Sequence, residues 1–299
     1  RVLECAKPKV FHNAKFDLEV ATTHLSLPDL AWSRVHDTLF LLFLHNPHAA
    51  SLSLKPASEK LLGLPPEEQD AVRQWLIDHK IVRADDKGWG AHIASAPGNV
   101  VAPYAIGDVV RTRKLFNLLY SKNRGEAYDR ERRLLPVLRR SERDGLRVDV
   151  PTLRRDVQTY TRALDDAGKW LTRRLRAPGL NLDSAQQVAE VLGRLGLVTD
   201  WTLTKTGKKS TAKDALKIND PLVAAVWNYR QRLKTCAGTF LVPWLEMATA
   251  NKGRLHTTWH QVRSGHGYDS FDGARTGRLS SSNPNYMNIP KRFDGKVPP

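Results

Sequence analysis

Two short stretches hold acidic side chains where phosphate chemistry could use them. In HNAKFD, Asp17 stands at the head of a helical pattern that follows the strand-like Val10 and Phe11. In YAIGD, Tyr104 precedes Asp108 by four residues, a spacing that sets both on one face of a helix. Two-metal cleavage of a phosphodiester needs carboxylates grouped around divalent ions roughly 4 Å apart, with water completing an oxygen shell. A phenol beside the ions orients the attacking water. Asp17 and Asp108 are therefore candidate metal ligands and catalytic groups, and Tyr104 is a candidate catalytic group. By spacing alone, Asp17 equally suits a helix cap, and the Tyr104 to Asp108 interval also arises by chance.

The elements that must position these residues alternate short apolar runs with helical patterns, which is α/β text. PPEEQDAVRQWLIDHK predicts a surface helix after Pro65 and Pro66, with Val72, Trp75, Leu76 and His79 on its apolar face. VAPYAIGDVVRTRKLFNLLYSK predicts a second, with Ile106, Val109, Val110, Leu115, Leu118 and Leu119 inward. A polar, Gly-containing break at residues 121 to 127 marks a domain boundary.

Beyond it the text turns helical and basic. Leu153, Val157, Tyr160, Leu164, Ala167 and Leu171 form a heptad-like seam on a long helix opened by Pro151. LDSAQQVAEVLGRLG carries a capping box from Ser184 to Gln187. A helix begins at Asp220-Pro221 and puts Arg230 and Lys234 one turn apart, a spacing that fits a solvated face. GRLHTTWHQV alternates as a strand does.

The chain has 299 residues and a net charge of +16, unevenly spread. Residues 1 to 100 hold 11 Lys and Arg against 12 Asp and Glu, whereas residues 101 to 299 hold 36 against 19. Segregated basic charge suits a polyanion such as nucleic acid better than a membrane surface. The longest apolar run, TLFLLFLHN, falls short of the ~18 residues that span a bilayer. Cys5 and Cys236 are too few for a disulfide framework or a zinc site, and are expected to be buried free thiols. The first residue, Arg1, lies in mid-pattern and the last segment is KVPP, so both ends read as cut.

Taken in order, these segments resemble the proofreading-exonuclease and polymerase portions of family A (Pol I-like) DNA polymerases, phage-type ones especially. HNAKFD is similar to the second exonuclease motif and YAIGD to the third. RLLPVLRRSERDGLRVD, TKTGKKSTAKDAL and YRQRLKT resemble the start of the polymerase module and its thumb, and GARTGRLSSSNPNYMNIP resembles the first strands of the palm. The fold implied is α/β: a ribonuclease H-like exonuclease domain, then a mainly α-helical thumb and the first strands of an α+β palm. The corresponding domains are residues 1–123 (exonuclease), 124–150 (start of the polymerase module), 151–250 (thumb) and 251–299 (palm). The first exonuclease motif, Asp-x-Glu, would precede Arg1, and the catalytic polymerase motifs would follow Pro299.

The resemblance implies a DNA-directed DNA polymerase fragment with a 3′ to 5′ exonuclease, two Mg²⁺ ions per exonuclease site (Mn²⁺ able to replace them), and Asp17 and Asp108 as their ligands. Primer-template and single-stranded 3′ ends are the implied partners, with dNTPs for the full-length parent, no membrane, and a cytoplasmic setting. Asn13 would lie near the substrate strand. Phe16, which equally suits plain core packing, and Tyr104 would hold its unstacked end. Lys205, Arg230 and Lys234 would meet backbone phosphates, and so would part of the lysine run to Lys208 and Lys209. Arg278, Asn285 and Asn288, with Gln261 nearby, would face the minor groove, whose acceptors are alike in every base pair. The family's usual Gln in that motif is Met287 here. Two other readings fit the same text, a non-catalytic DNA-binding piece of a split polymerase and a stand-alone exonuclease.

Overall fold

The computed structural model describes residues 5–212, 215–263 and 274–289. It is mostly helical, with three small two-stranded sheets among the described residues. Two compact units emerge, one drawn from Arg1–Gly145 and His256–Met287, the other from Leu146–Leu255 and Asn288–Pro299. The break at 121–127 falls between two helices of the first unit.

In the first unit, β1 (Lys9–Phe11), α1 (Ala14–His24) and β2 (Val35–Asp37) form a β-α-β turn whose strands pair in parallel, Phe11 opposite Asp37. The short α2 (Thr38–His45) is apolar all round, and its residues from Thr38 to Phe43 are buried. A helix without a polar face belongs inside a core. Sharing its core are α3 (Leu54–Leu62), α5 (Gly98–Asn123) and α6 (Glu126–Asp144), while α4 (Glu67–Asp78) packs on α5 around a separate cluster at Val72 and Leu76. Leu41, Leu115, Leu119 and Tyr128 are among the core residues with essentially no exposure.

One carboxylate starts two of these helices. Asp37, 1% exposed, accepts from the Asn13 and Leu39 amides through Oδ1 (2.9 and 2.8 Å) and from the Ala14 amide through Oδ2 (2.7 Å). The orphan amides at the N-termini of α1 and α2 are thus satisfied together. Asn13 itself takes a left-handed conformation, φ 64°, which Asn tolerates better than most residues.

The inward face predicted for α5 holds only in its second half. Leu115 and Leu119 are buried, whereas Ile106 is 62% and Val109 70% exposed, and Val110 is exposed too. The first half instead turns Val100, Val101 and Tyr104 toward the cluster around Val72 and Leu76 of α4, and at the middle of the helix Arg111 forks onto Glu68 of α4 and reaches the Pro65 carbonyl. Gly107 makes room, since a Cβ there would lie 2.5 Å from Glu68 Oε1. α4 buries Val72 and Leu76 as expected, while His79 is exposed and stacks on Trp75.

The second unit begins with β3 (Leu146–Arg147) and α7 (Val150–Arg174), followed by α8 (Ala185–Arg194) and α9 (Pro221–Thr235). A π-helical turn, Cys236–Leu241, leads into α10 (Val242–Ala250) and β4 (Arg254–Leu255), which pairs antiparallel with β3. The predicted seam is present, with Leu153, Tyr160, Ala167 and Leu171 buried along α7 and Leu171 packed in a cluster with Trp227 of α9. Ser184 caps α8 by accepting from the Gln187 amide (3.4 Å). Gln187 does not close the box on Ser184, and its Oε1 instead accepts from the Asn181 amide (3.0 Å).

The predicted strand over GRLHTTWHQV divides into β4 and β5 (Thr258–His260), and β5 pairs antiparallel with β6 (Ser280–Ser282) in the first unit. Both cysteines are free, but Cys5 is exposed, contrary to expectation, and Cys236 is half-buried. No helix among the described residues is long and apolar enough to cross a membrane.

Candidate acidic cleft and nucleic-acid interface

Asn13, Tyr104 and Asp108 line one cavity of about 510 Å³ in the first unit, together with His12, Lys55 and Glu59. The two sequence motifs thus share a wall despite their distance along the chain, because α5 brings its first half beside the start of α1. Phe16 and Asp17 are outside that lining, on the exposed side of α1, and Phe16 is 67% exposed. Core packing, one of its two readings, is excluded.

The carboxylates have different surroundings. Partial desolvation raises the Asp17 pKa above the usual carboxylate range, even though the residue as a whole is open to solvent. Asp108 is also raised by desolvation, and Lys55 works against the rise. Lys55 Nζ stands 3.4 Å from Asp108 Oδ1 and 3.6 Å from the Tyr104 ring centroid, so one ammonium serves both side chains. Behind them, burial holds His12 neutral, with a pKa lowered to about 4, while its Nδ1 meets the Thr38 hydroxyl at 2.9 Å.

Among the described residues no three His, Cys, Asp or Glu side chains come together in a way that could hold a metal ion. Asp17 is not on the cavity wall and Asp108 has an ammonium against it. These residues do not by themselves fit the two-ion site expected from the motifs.

The expected DNA-facing residues fall into two groups. Lys205 is exposed in a tight hairpin turn in which the Thr204 amide donates to the Lys208 carbonyl (2.7 Å) and Gly207 takes φ 75°. Lys208 and Lys209 are also exposed, the latter 5.0 Å from the Trp201 ring. Arg278, Asn285 and Asn288 are exposed as well, and Asn285 Oδ1 accepts from the Met287 amide (2.9 Å) and the Ser281 hydroxyl (3.4 Å). Met287 is exposed in the same turn.

Arg230 and Gln261 behave otherwise. Arg230 is 8% exposed and donates to Asp183 Oδ1 at 2.8 Å, with Lys234 Nζ on the same oxygen at 3.0 Å. Neither the solvated face nor the open phosphate contact describes it, because a guanidinium packed near Gly168 of α7 needs a carboxylate partner inside the protein. Lys234 remains about half exposed. Burial opposes ionisation of Asp183, but Arg230 and Lys234 outweigh it and hold the carboxyl below its ordinary range. Gln261 is 7% exposed and its amide donates to the Glu131 carbonyl and carboxylate, both at 2.6 Å, so it faces α6 and not solvent.

Lys55, Asp37 and Asp183 hold these sites together although none of them is among the candidate site residues. Asp37 does have a readable signal, an Asp immediately before an apolar helical run. Lys55 and Asp183 have none, since their partners Asp108 and Arg230 are remote in the chain.

Residues 153–297 match the sequence model of DNA polymerase family A. DNA polymerase I of Chloroflexus aurantiacus is 29% identical over 302 residues, covering 96% of this chain and 29% of that protein. DNA polymerase I of Pseudomonas aeruginosa is 30% identical over 307 residues, covering 96% of the chain and 30% of that protein. A solved structure, the POL domain of Pol1 from M. smegmatis in complex with DNA primer-template and dNTP, superposes with a TM-score of 0.65 at 22% identity over 96% of this chain and 43% of that one. The chain belongs to the family A DNA polymerases. It spans under a third of the length of these curated relatives.

Proposed function

We propose that the chain is the part of a DNA-directed DNA polymerase that grips primer-template, joined to an exonuclease-like unit whose cleft receives a 3′ end. The observation that carries this reading is the family match over residues 153–297, which contains the lysine hairpin, the α7 to α9 helices of a thumb and the exposed Arg278 segment. In this reading Lys205 and Lys234 neutralise phosphates, and Arg278, Asn285 and Asn288 meet the minor groove without reading sequence. The ribonuclease H-like and thumb layout, the domain limits and a cytoplasmic setting belong to the same proposal. So does nucleotide addition by the longer protein with dNTPs and Mg²⁺.

The binding test is fluorescence anisotropy with labelled primer-templates of unrelated sequence. The chain should bind them with equal affinity, and Arg278→Ala should weaken binding several-fold. Absence of binding at low salt, or preference for one sequence, would sink the reading.

For the cleft, proofreading hydrolysis would need carboxylates in addition to Asp17 and Asp108. In the longer protein, digestion of single-stranded 3′ ends that is lost in Asp108→Ala would support hydrolysis. The alternative, a cleft that holds DNA without cutting it, is favoured by the ammonium of Lys55 at Asp108.

A further inference from the structure

Lys55 stands where a cation is least expected on its own helix. It is the second residue of α3, after the N-cap Ser53, and no acidic residue shares that first turn. The N-terminal end of a helix carries partial positive charge, so an ammonium there is unfavourable unless something else holds it. Two groups do. Asp108 Oδ1 lies 3.4 Å from Nζ, and the Tyr104 face lies 3.6 Å away, both presented by successive turns of α5. The lysine side chain is only 11% exposed, and its ion pair crosses the cavity to Asp108 although Glu59 stands one turn along its own helix. Pro56 follows directly and restricts the backbone of the turn that aims it.

We infer that Lys55 is the resident cation of the Asp108 and Tyr104 wall and excludes a divalent ion from Asp108. A divalent ion binds carboxylate oxygen at about 2.0 to 2.6 Å and would have to share that carboxylate with a positive charge a few ångström away. The Tyr104 ring, which would otherwise orient a water, is covered by the same ammonium. The cleft then keeps the shape of an acidic catalytic wall while its charge is neutralised from within. This goes beyond the functional reading above and does not depend on DNA binding, so the failure of either is visible separately.

The test uses Mn²⁺ as a paramagnetic probe and NMR signals of the Tyr104 ring and the Asp108 backbone as reporters, in the parent chain, Lys55→Met and Asp108→Asn. The parent should show no more broadening at these signals than Asp108→Asn does. Removing the ammonium in Lys55→Met should strengthen Mn²⁺ broadening there by about tenfold or more, since a nearby like charge is what opposes the ion. Broadening in the parent that Asp108→Asn abolishes overturns the inference, because a divalent ion would then enter despite Lys55. Silence in both the parent and a folded Lys55→Met also overturns it, because the lysine would not be what keeps the ion out. Lys55→Gln provides a second uncharged variant should the methionine perturb the turn.

Discussion

Asp37 shows how a residue with no place in the expected chemistry sets the geometry of the residues that have one. Its two oxygens accept three amides, and two of these belong to Asn13 and Ala14, the entrance of the helix that carries Asp17. Asp37→Asn keeps one acceptor and turns an amide donor toward the Ala14 N–H or its neighbours, so a loss of about 1 to 3 kcal/mol is expected in thermal unfolding. An unchanged midpoint would mean the two helix starts do not depend on this carboxylate. Acid should also weaken the first unit. His12 and His36 have pKa values lowered to about 4 from 6.5 by burial, so the unfolded chain binds more protons between those values and stability is lost as pH falls through that window. Asp37, raised to about 6 from 3.8 by burial, acts oppositely, its contribution declining as pH rises from 3.8 to 6. Asp17 and Asp108, also raised by desolvation, act in the same sense as Asp37, so the histidine effect is read at the upper end of the window, where melting temperature should drop as pH is lowered from 6.5 toward 6. In His36→Gln that drop should be shallower, and an identical pH profile would rule out His36 as a contributor.

At the scale of elements, polar clasps decide positions that apolar periodicity leaves open. The β1 strand, the α1 start, the α7 seam and the α9 cap are legible because each rests on signals within a few residues of one another, as with Asp220 and Pro221. The first half of α5 departs from the expected face because it turns Val100, Val101 and Tyr104, not Ile106 and Val109, toward the cluster around Val72 and Leu76, with Arg111 on Glu68 beside it. Likewise Arg230 and Lys234 are legible as neighbours on one face, but not as partners of an aspartate 47 residues earlier than the arginine. Of the cleft, the sequence motifs locate Asn13, Tyr104 and Asp108, while the cation against Tyr104 and Asp108 comes from a helix that supplied no candidate site residue. Two variants probe these clasps. Glu68→Ala leaves the guanidinium of Arg111, 5% exposed, without its carboxylate and should cost about 3 kcal/mol in chemical denaturation, with the loss read in the first unit. Asp183→Ala should cost a similar amount in the second unit by stranding Arg230. A loss within experimental error of zero in either case would show the pair to be incidental.

For the whole molecule, net charge overstates what is available to a polyanion. Arg111, Arg132, Arg139, Arg230 and Arg263 are all 8% exposed or less, and each is bound to carboxylates or backbone carbonyls within the protein. These buried cations hold segments together, and turning them toward DNA would take each from the carboxylate or carbonyl that satisfies it. The exposed lysines of the 204 to 209 hairpin carry no such obligation, and they release condensed counterions when they meet phosphates. The two kinds of cation should separate in a salt titration of primer-template binding. Removing one phosphate-neutralising side chain lowers the slope of log affinity against log salt by roughly 0.9, so Lys205→Ala with Lys208→Ala should flatten it by about 2 while leaving the melting temperature nearly unchanged. Arg230→Ala should do the reverse, lowering the melting temperature and leaving the slope close to that of the parent. If Arg230→Ala flattens the slope as much as a hairpin lysine does, the Asp183 clasp must open on DNA and Arg230 is a phosphate ligand after all.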